Sequence, residues 1–407
     1  MRSGLRVTGK WGSWLLAALA LAAVPWAVIA QSHQGASGFT TYDCAEQDEG
    51  VEKAVRLAIP DGLQIVRGLL VNTNAAGGDT RARYTLAYLR AFAALHDLAF
   101  VGAQGFNSHL GSVTVLQHAL DRWAGESGHP ELANVPFVIY GFSAGGGFAN
   151  RLVNTLPDRC VASAPLSTVM RRMEIPDAAL DVPVCMFSGE LESTMNPLLV
   201  DAMQTHRPRG AHFAWAMVER GVHQEADQVT LALPFLDHCW RLRVPADADP
   251  RQGPVTLKPL PLTSGWCGDN ATWRGTLTKI AHCDDAGAVS PTMSWLPDED
   301  TAWLYRAYAT FAPPLKLTNP PSGAAWVLKP GASLSLTVDD TGLPGWRQMA
   351  LYEGAQKLAE IAPGPARFAL SDLQPGVHSY YVMAADAQGT LRSSRPALVV
   401  VSTAAVP

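Results

Sequence analysis

Ser143 lies in the stretch FVIYGFSAGGGFAN (137–150), with Gly141 two residues before it and Gly145 two residues after. An apolar run leads into this G-x-S-x-G pattern and a small-residue helical pattern leads out of it. Together they predict a sharp strand-to-helix turn, at which side chains two places away on either side would clash. Such a turn forces the serine into an unfavourable backbone conformation and points the free N–H groups of the following helix at the reacting centre. A hydroxyl presented in this way becomes a nucleophile when a base takes its proton and a carboxylate orients the base.

Both partners can be sought after later strands of the same sheet. VPVCMF (182–187) reads as a strand and runs into Ser188-Gly189-Glu190-Leu191-Glu192. Glu192 is favoured as the acid, because three residues beyond Gly189 the loop has room to turn a carboxylate inward. Glu190, nearer the strand, is the alternative acid or a support for a neighbouring loop. FAWAMVE (213–219) is the next strand, and Arg220-Gly221-Val222-His223 follows it. That places His223 beyond the carboxyl end of its strand, at the edge where ligands bind in open α/β sheets. His96, His206, His212 and His238 are its rivals and lack this position. An oxyanion would be held by the backbone N–H of Ala144 and by a second from the loop VNTNAAGGD (71–79), where Thr73 or Asn74 would donate, Asn74 being favoured. The Gly77-Gly78 pair would let that backbone approach a ligand. Without chemistry, the same residues would be a glycine-rich turn, two solvated carboxylates and a surface histidine.

These residues need a sheet to position them. Strand-like and helix-like segments alternate through most of residues 60–240: IVRGLLVN, then a helix predicted over 80–98 with Tyr84, Tyr88, Phe92 and Leu95 on one stripe, then LAFVGAQ, SVTVLQHALDRWAG, FVIYG, GGGFANRLVNTL, CVASAPLS, VPVCMF and FAWAMVE. VEKAVRLAI precedes them as a further strand. That order specifies an α/β fold with a mostly parallel sheet and helices on both faces. After the proline-rich APPLKLTNPPSG the texture changes to short runs between turns: SLSLTV, QMALYEG, ARFALSDL, HSYYVMAAD and PALVVVS. These predict a small all-β sandwich over 313–407. Residues 241–312, with Trp266, Trp273, Trp295 and Trp303, have no clean period and read as an elaboration of a catalytic domain spanning 31–312.

Residues 1–30 combine Arg2, Arg6 and Lys10 with the uncharged WLLAALALAAVPWAVIA, the pattern of a signal peptide. Secretion or export to the periplasm follows as the expectation, with no stable membrane span after processing. Six cysteines then suggest disulfides, and Cys267 with Cys283 is the expected pair. Cys185, inside an apolar strand, reads as a buried thiol. The His238-Cys239 and His282-Cys283 pairs would suit zinc, a weaker reading in an oxidising compartment, and no metal is expected. A formal net charge of −5, spread without charge blocks, offers no footprint for nucleic acid.

With these residues in place, the stretch 50–240 resembles the α/β-hydrolase superfamily. It is most similar to the secreted esterases that include feruloyl esterases, acetylxylan esterases and extracellular polyhydroxybutyrate depolymerases, which carry a G-x-S-A-G-G elbow like Gly141–Gly146. The C-terminal segment resembles Ig-like or fibronectin-III-like modules. The resemblance implies a Ser143–Glu192–His223 triad and hydrolysis of carboxylic esters, of a polysaccharide, a polyester or a small molecule, with no cofactor. It departs from the group in carrying Asn72-Thr73 where a His-Gly pair is usual, glutamate where aspartate is commoner as the acid, and the tryptophan-rich stretch. A serine peptidase of the oligopeptidase type, or a secreted binding protein with an inactive hydrolase domain, are the competing readings.

Overall fold

The computed structural model describes residues 32–34, 38–168, 175–273 and 277–403. The leader expected over 1–30 lies outside them. The main sheet has nine strands: β1 (Ser32–Gln34), β2 (Phe39–Asp48), β3 (Val51–Pro60), β4 (Gly68–Thr73), β5 (Leu98–Gln104), β6 (Phe137–Phe142), β7 (Cys160–Leu166), β8 (Val184–Gly189) and β9 (Phe213–Val218), in the order β1-β2-β3-β5-β4-β6-β7-β8-β9. From β5 to β9 all pairings are parallel, while β1, β2 and β3 extend the sheet antiparallel. Helices α1 (Ala87–Leu95), α2 (Leu110–Glu126), α3 (Ala144–Thr155), α4 (Asp177–Leu180), α5 (Asn196–His206) and α6 (Val229–Arg243) connect or flank these strands. Strands β4, β6, β7, β8 and β9 are buried along their whole length, which explains why they read as unbroken apolar runs and not as alternating ones.

Two local features differ from the sequence reading. The helix predicted over 80–98 begins only at Ala87, after a single tight turn at Arg83–Thr85. The segment before it is tied to the sheet instead: the Thr80 hydroxyl donates to Asn72 O (2.6 Å) and accepts from the Ala103 N–H (2.8 Å). Strand β2 has no clear signature in the sequence, because FTTYDCAEQD is polar and half-exposed near the sheet edge. It forms by pairing with β3 across a turn in which Glu49 and Gly50 both take positive φ, 50° and 78°.

Beyond α6, β10 (Trp266–Asp269), β11 (Ile280–His282) and β12 (Met293–Leu296) make a small antiparallel sheet, with α7 (Cys283–Ala286) and α8 (Glu299–Tyr308) attached. Cys267 and Cys283 are joined in a disulfide with Cα atoms 5.1 Å apart. Strand β12 lies beside β9, the outermost parallel strand, and the Trp215 N–H donates to the Ser294 hydroxyl (2.9 Å). The unsatisfied edge of the main sheet is thereby covered. The tryptophans fill this junction: Trp273 packs edge-on against Trp215 (4.6 Å) and donates to the Tyr305 hydroxyl (2.9 Å), which itself donates to Trp215 O (2.8 Å).

The C-terminal strands are β13 (Lys316–Asn319), β14 (Ala325–Leu328), β15 (Leu334–Asp339), β16 (Gln348–Glu353), β17 (Gln356–Ile361), β18 (Arg367–Leu370), β19 (Gly376–Ala385), β20 (Leu391–Ser393) and β21 (Ala397–Val401). One sheet is β13-β15-β18 and the other β14-β21-β19-β16-β17, with β20 on β19. Between them lies a separate core containing Leu336, Met349, Tyr380, Val382 and Val399. Alternate residues of the same strands, Tyr381, Met383, Leu398 and Val400, belong to the core of the α/β sheet instead. One face of β19 and β21 therefore packs inside the sandwich, and the other packs against the α/β part.

Candidate active site

The residue leading into α3 is Ser143, held at φ 54° and ψ −115°, a conformation that costs a non-glycine residue of order 1–3 kcal/mol. Crowding enforces it. A Cβ on Gly141 would meet Gly145 O at 2.5 Å, and one on Gly145 would meet Asn74 N at 2.5 Å, all backbone atoms that cannot swing aside. The turn is further stitched by Ser143 N–H to Leu166 O (2.8 Å), Gly145 N–H to Asn74 O (2.7 Å) and the Thr73 hydroxyl to Gly145 O (2.9 Å). Asn72 donates its side-chain amide to Tyr140 O (3.0 Å), so the Asn72-Thr73 pair braces the serine turn from the neighbouring strand.

The serine hydroxyl lies 2.8 Å from His223 Nε2, and His223 Nδ1 lies 2.6 Å from Glu192 Oε1. The second carboxylate oxygen, Oε2, accepts from the Ser167 hydroxyl (2.8 Å) and the Gly189 N–H (2.5 Å). Glu192 is only 7% exposed, and three donors satisfy its charge there. The loop folds back to make this possible: Glu192 N–H donates to Gly189 O (3.1 Å). Glu190 is placed differently. Its Oε2 accepts the Arg220 N–H (2.9 Å), which fastens the loop carrying His223. The imidazole packs against Phe142, with ring centroids 5.0 Å apart, and its side chain remains 48% exposed.

Among the described residues, no acceptor meets the N–H of Ala144 or of Asn74. Both flank the serine turn, since Asn74 N is the atom a Gly145 side chain would strike. Gly77, at φ 75°, and Gly78, whose N–H donates to Ala75 O (2.8 Å), close a turn beyond them.

The rival histidines are engaged elsewhere. His96 hydrogen-bonds Asp237 (2.8 Å) and His238 hydrogen-bonds Asp298 (2.5 Å). His212 lies with Nδ1 3.0 Å from Leu180 O and Nε2 2.7 Å from Leu260 O, and burial pushes both it and His206 below the usual imidazole range. Cys283 is taken by the disulfide, and Cys44, Cys160, Cys185 and Cys239 are buried free thiols. Burial pushes Cys160 up to about 12, far from a reactive thiolate. Sequence reasoning misses Ser167 and the Gly189 amide, while Glu190 stands where the second of its two readings put it, supporting a neighbouring loop. The one available clue is that Ser167 ends an apolar strand at the same sheet edge.

A strained serine after the central strand β6, with histidine and glutamate after β9 and β8, on a mostly parallel sheet, defines an α/β-hydrolase architecture. No protein-family model matches the chain, and no curated protein matches it in sequence. Solved structures similar to it include an S-formylglutathione hydrolase from Agrobacterium tumefaciens (13% identity, 52% of this chain and 97% of that one, TM-score 0.35) and a dienelactone hydrolase from Anabaena variabilis (17%, 50% and 98%, TM-score 0.34). The C-terminal part is similar to fibronectin(III)-like modules of Clostridium thermocellum CbhA (14%, 21% and 93%, TM-score 0.20).

Proposed function

We propose that this protein is a serine esterase. The observation that carries the reading is the unbroken hydrogen-bonded chain from Ser143 through His223 to Glu192. Ser143 Oγ attacks an ester carbonyl carbon while His223 Nε2 takes the hydroxyl proton. Glu192 holds the ring and stabilises the imidazolium. The oxyanion sits between the N–H groups of Ala144 and Asn74, which are aimed at charge that develops only during attack. As the tetrahedral intermediate collapses, the C–O bond to the alcohol breaks and His223 returns the proton to the departing oxygen. Water, deprotonated by the same imidazole, then releases the acid and regenerates Ser143. Every step uses side chains and backbone of this chain.

The substrate is reached from an open face. Leu191 and Val222, each one residue before a member of the triad, are 62% and 46% exposed, and the Leu191 N–H donates to Gly221 O (2.8 Å). Two apolar side chains beside a half-exposed histidine favour an ester in an extended apolar chain, such as a polyester, over a sugar ester. Export is part of the proposal. The Cys267–Cys283 disulfide supports it, and no helix among the described residues is long and apolar enough to cross a membrane.

The test is turnover of p-nitrophenyl butyrate and of a polyester film by wild type and Ser143→Ala, with fluorophosphonate labelling in parallel. The expected result is a rate loss of at least about 10³-fold in the variant and labelling only of wild type. Equal rates, or a wild type that neither turns over nor labels, would return the protein to the binding-module reading.

A further inference from the structure

His223 sits in the loop 219–228 between β9 and α6, and its catalytic use depends on that loop keeping one shape. The loop's own hydrogen bonds are few and short-range, such as Gly221 N–H to Val218 O (3.0 Å) and Gln224 N–H to Val222 O (2.8 Å). Its anchors come from outside. Glu190 holds Arg220, and Arg83 grips Glu225 through two bonds of 2.8 and 2.5 Å. A third anchor comes from the β-sandwich. Arg395, between β20 and β21, is only 7% exposed, and its guanidinium faces carboxylates at both ends of the loop. Nη1 lies 3.7 Å from Glu219 Oε2, and Nη2 lies 3.1 Å from Asp227 Oδ2.

We propose that Arg395 is a positioning residue for the catalytic histidine, a clamp by which the C-terminal module fixes the loop 219–228. The inference rests on the esterase reading for its catalytic consequence, and on geometry alone for its mechanical one. Three features support a built clamp over a chance surface pair. The guanidinium also stacks over Tyr308, 4.4 Å from the ring centroid, and Tyr308 donates its hydroxyl to the other oxygen of Asp227 (3.1 Å). Glu219 Oε1 accepts the Ala312 N–H (2.8 Å), so that carboxylate too is held on both sides. Gly323 of the module lies so close that a Cβ there would meet Asp227 Cβ at 2.8 Å. A planar fork with two ends can span two carboxylates where an ammonium cannot. Glu219, Asp227 and Arg395 line one cavity of ≈ 510 Å³, which Arg220 and Lys316 line as well.

The experiment compares full-length wild type, Arg395→Ala, Arg395→Lys and Glu219→Gln/Asp227→Asn by hydrogen–deuterium exchange and by steady-state hydrolysis of p-nitrophenyl butyrate. In Arg395→Ala, amides of 219–228 should exchange at least about tenfold faster while those of β6, β7 and β8 keep their protection. The kcat should fall about 10- to 100-fold with KM within about twofold, because geometry at the base is lost and substrate contacts are not. Arg395→Lys should recover part of both. Unchanged exchange in the loop, or an unchanged kcat, overturns the clamp. If Arg395→Ala does not fold, the lysine and the double variant decide by the same readings. A wild type without hydrolysis would count against the esterase alone, while the exchange arm would still decide for or against Arg395.

Discussion

At the scale of single residues, two carboxylates only two positions apart have different work. Glu192 is buried and accepts from His223, Ser167 and the Gly189 amide, whereas Glu190 accepts from the Arg220 backbone. Glu192→Gln would place an amide donor against a donor and leave the imidazole without its counter-charge. A loss in kcat of about 10³- to 10⁴-fold is expected. Glu190→Gln keeps an oxygen for Arg220 N–H and should cost less than about tenfold. Kinetics of the two variants side by side decide the assignment, and a more damaging Glu190→Gln would reverse it. The sequence places both glutamates at the right sheet edge. Loop length alone favours Glu192 over Glu190, but the Ser167 hydroxyl that holds the second oxygen of Glu192 is contributed by a different strand and is not legible beside it.

At the scale of elements, the turn between β6 and α3 is set by exclusion. Gly145→Ala would push a methyl into the backbone at Thr73 and Asn74. We expect a stability loss of about 1–3 kcal/mol in chemical denaturation, together with loss of fluorophosphonate labelling. Retained labelling at the wild-type rate would show that the turn can relax. A second element, α6, is pinned through Asp237. Burial acts to raise its carboxyl, but the hydrogen bond from His96 and the charges of His96 and Arg241 outweigh that and hold it below the usual carboxylate value. A depressed carboxyl contributes stability above its unfolded value of about 3.9, and the contribution is lost as pH falls through the lower folded value. Asp237→Asn should therefore cost about 1–3 kcal/mol near neutrality, and the gap to wild type should narrow below about pH 4. Urea unfolding at neutral pH and at about pH 3.5 checks the sign, and a gap that widens on acidification would contradict it.

At the scale of the molecule, the β-sandwich packs on the α/β sheet and reaches the histidine loop 219–228 through Arg395. Tyr381, Met383, Leu398 and Val400 share a core with the α/β sheet, and Trp303 of α8 stacks on Tyr352 (5.8 Å), which stacks on Tyr381 (5.6 Å). Deleting 313–407 would expose that apolar face. The truncated chain should aggregate or bind a hydrophobic dye, where a tethered spacer would leave a soluble domain. Size-exclusion chromatography distinguishes the two outcomes. A clue is present in PALVVVS, an apolar run too continuous for a strand with one solvated face. Its meaning requires knowing what covers the second face.

The sequence by itself determined the alternation of strands and helices through most of residues 60–240, the glycine-flanked serine and the placement of histidine and glutamate after later strands, and it favoured Cys267 with Cys283 as a pair. Each depends on short-range sterics, periodicity or spacing that neighbouring residues carry. The tertiary structure alone decided which carboxylate faces the imidazole. It alone brought Arg395 of the C-terminal module to within 3.1 Å of Asp227, beside the histidine loop. Such contacts join segments far apart in the chain, and their distances are set by how the intervening elements pack, which no local pattern encodes.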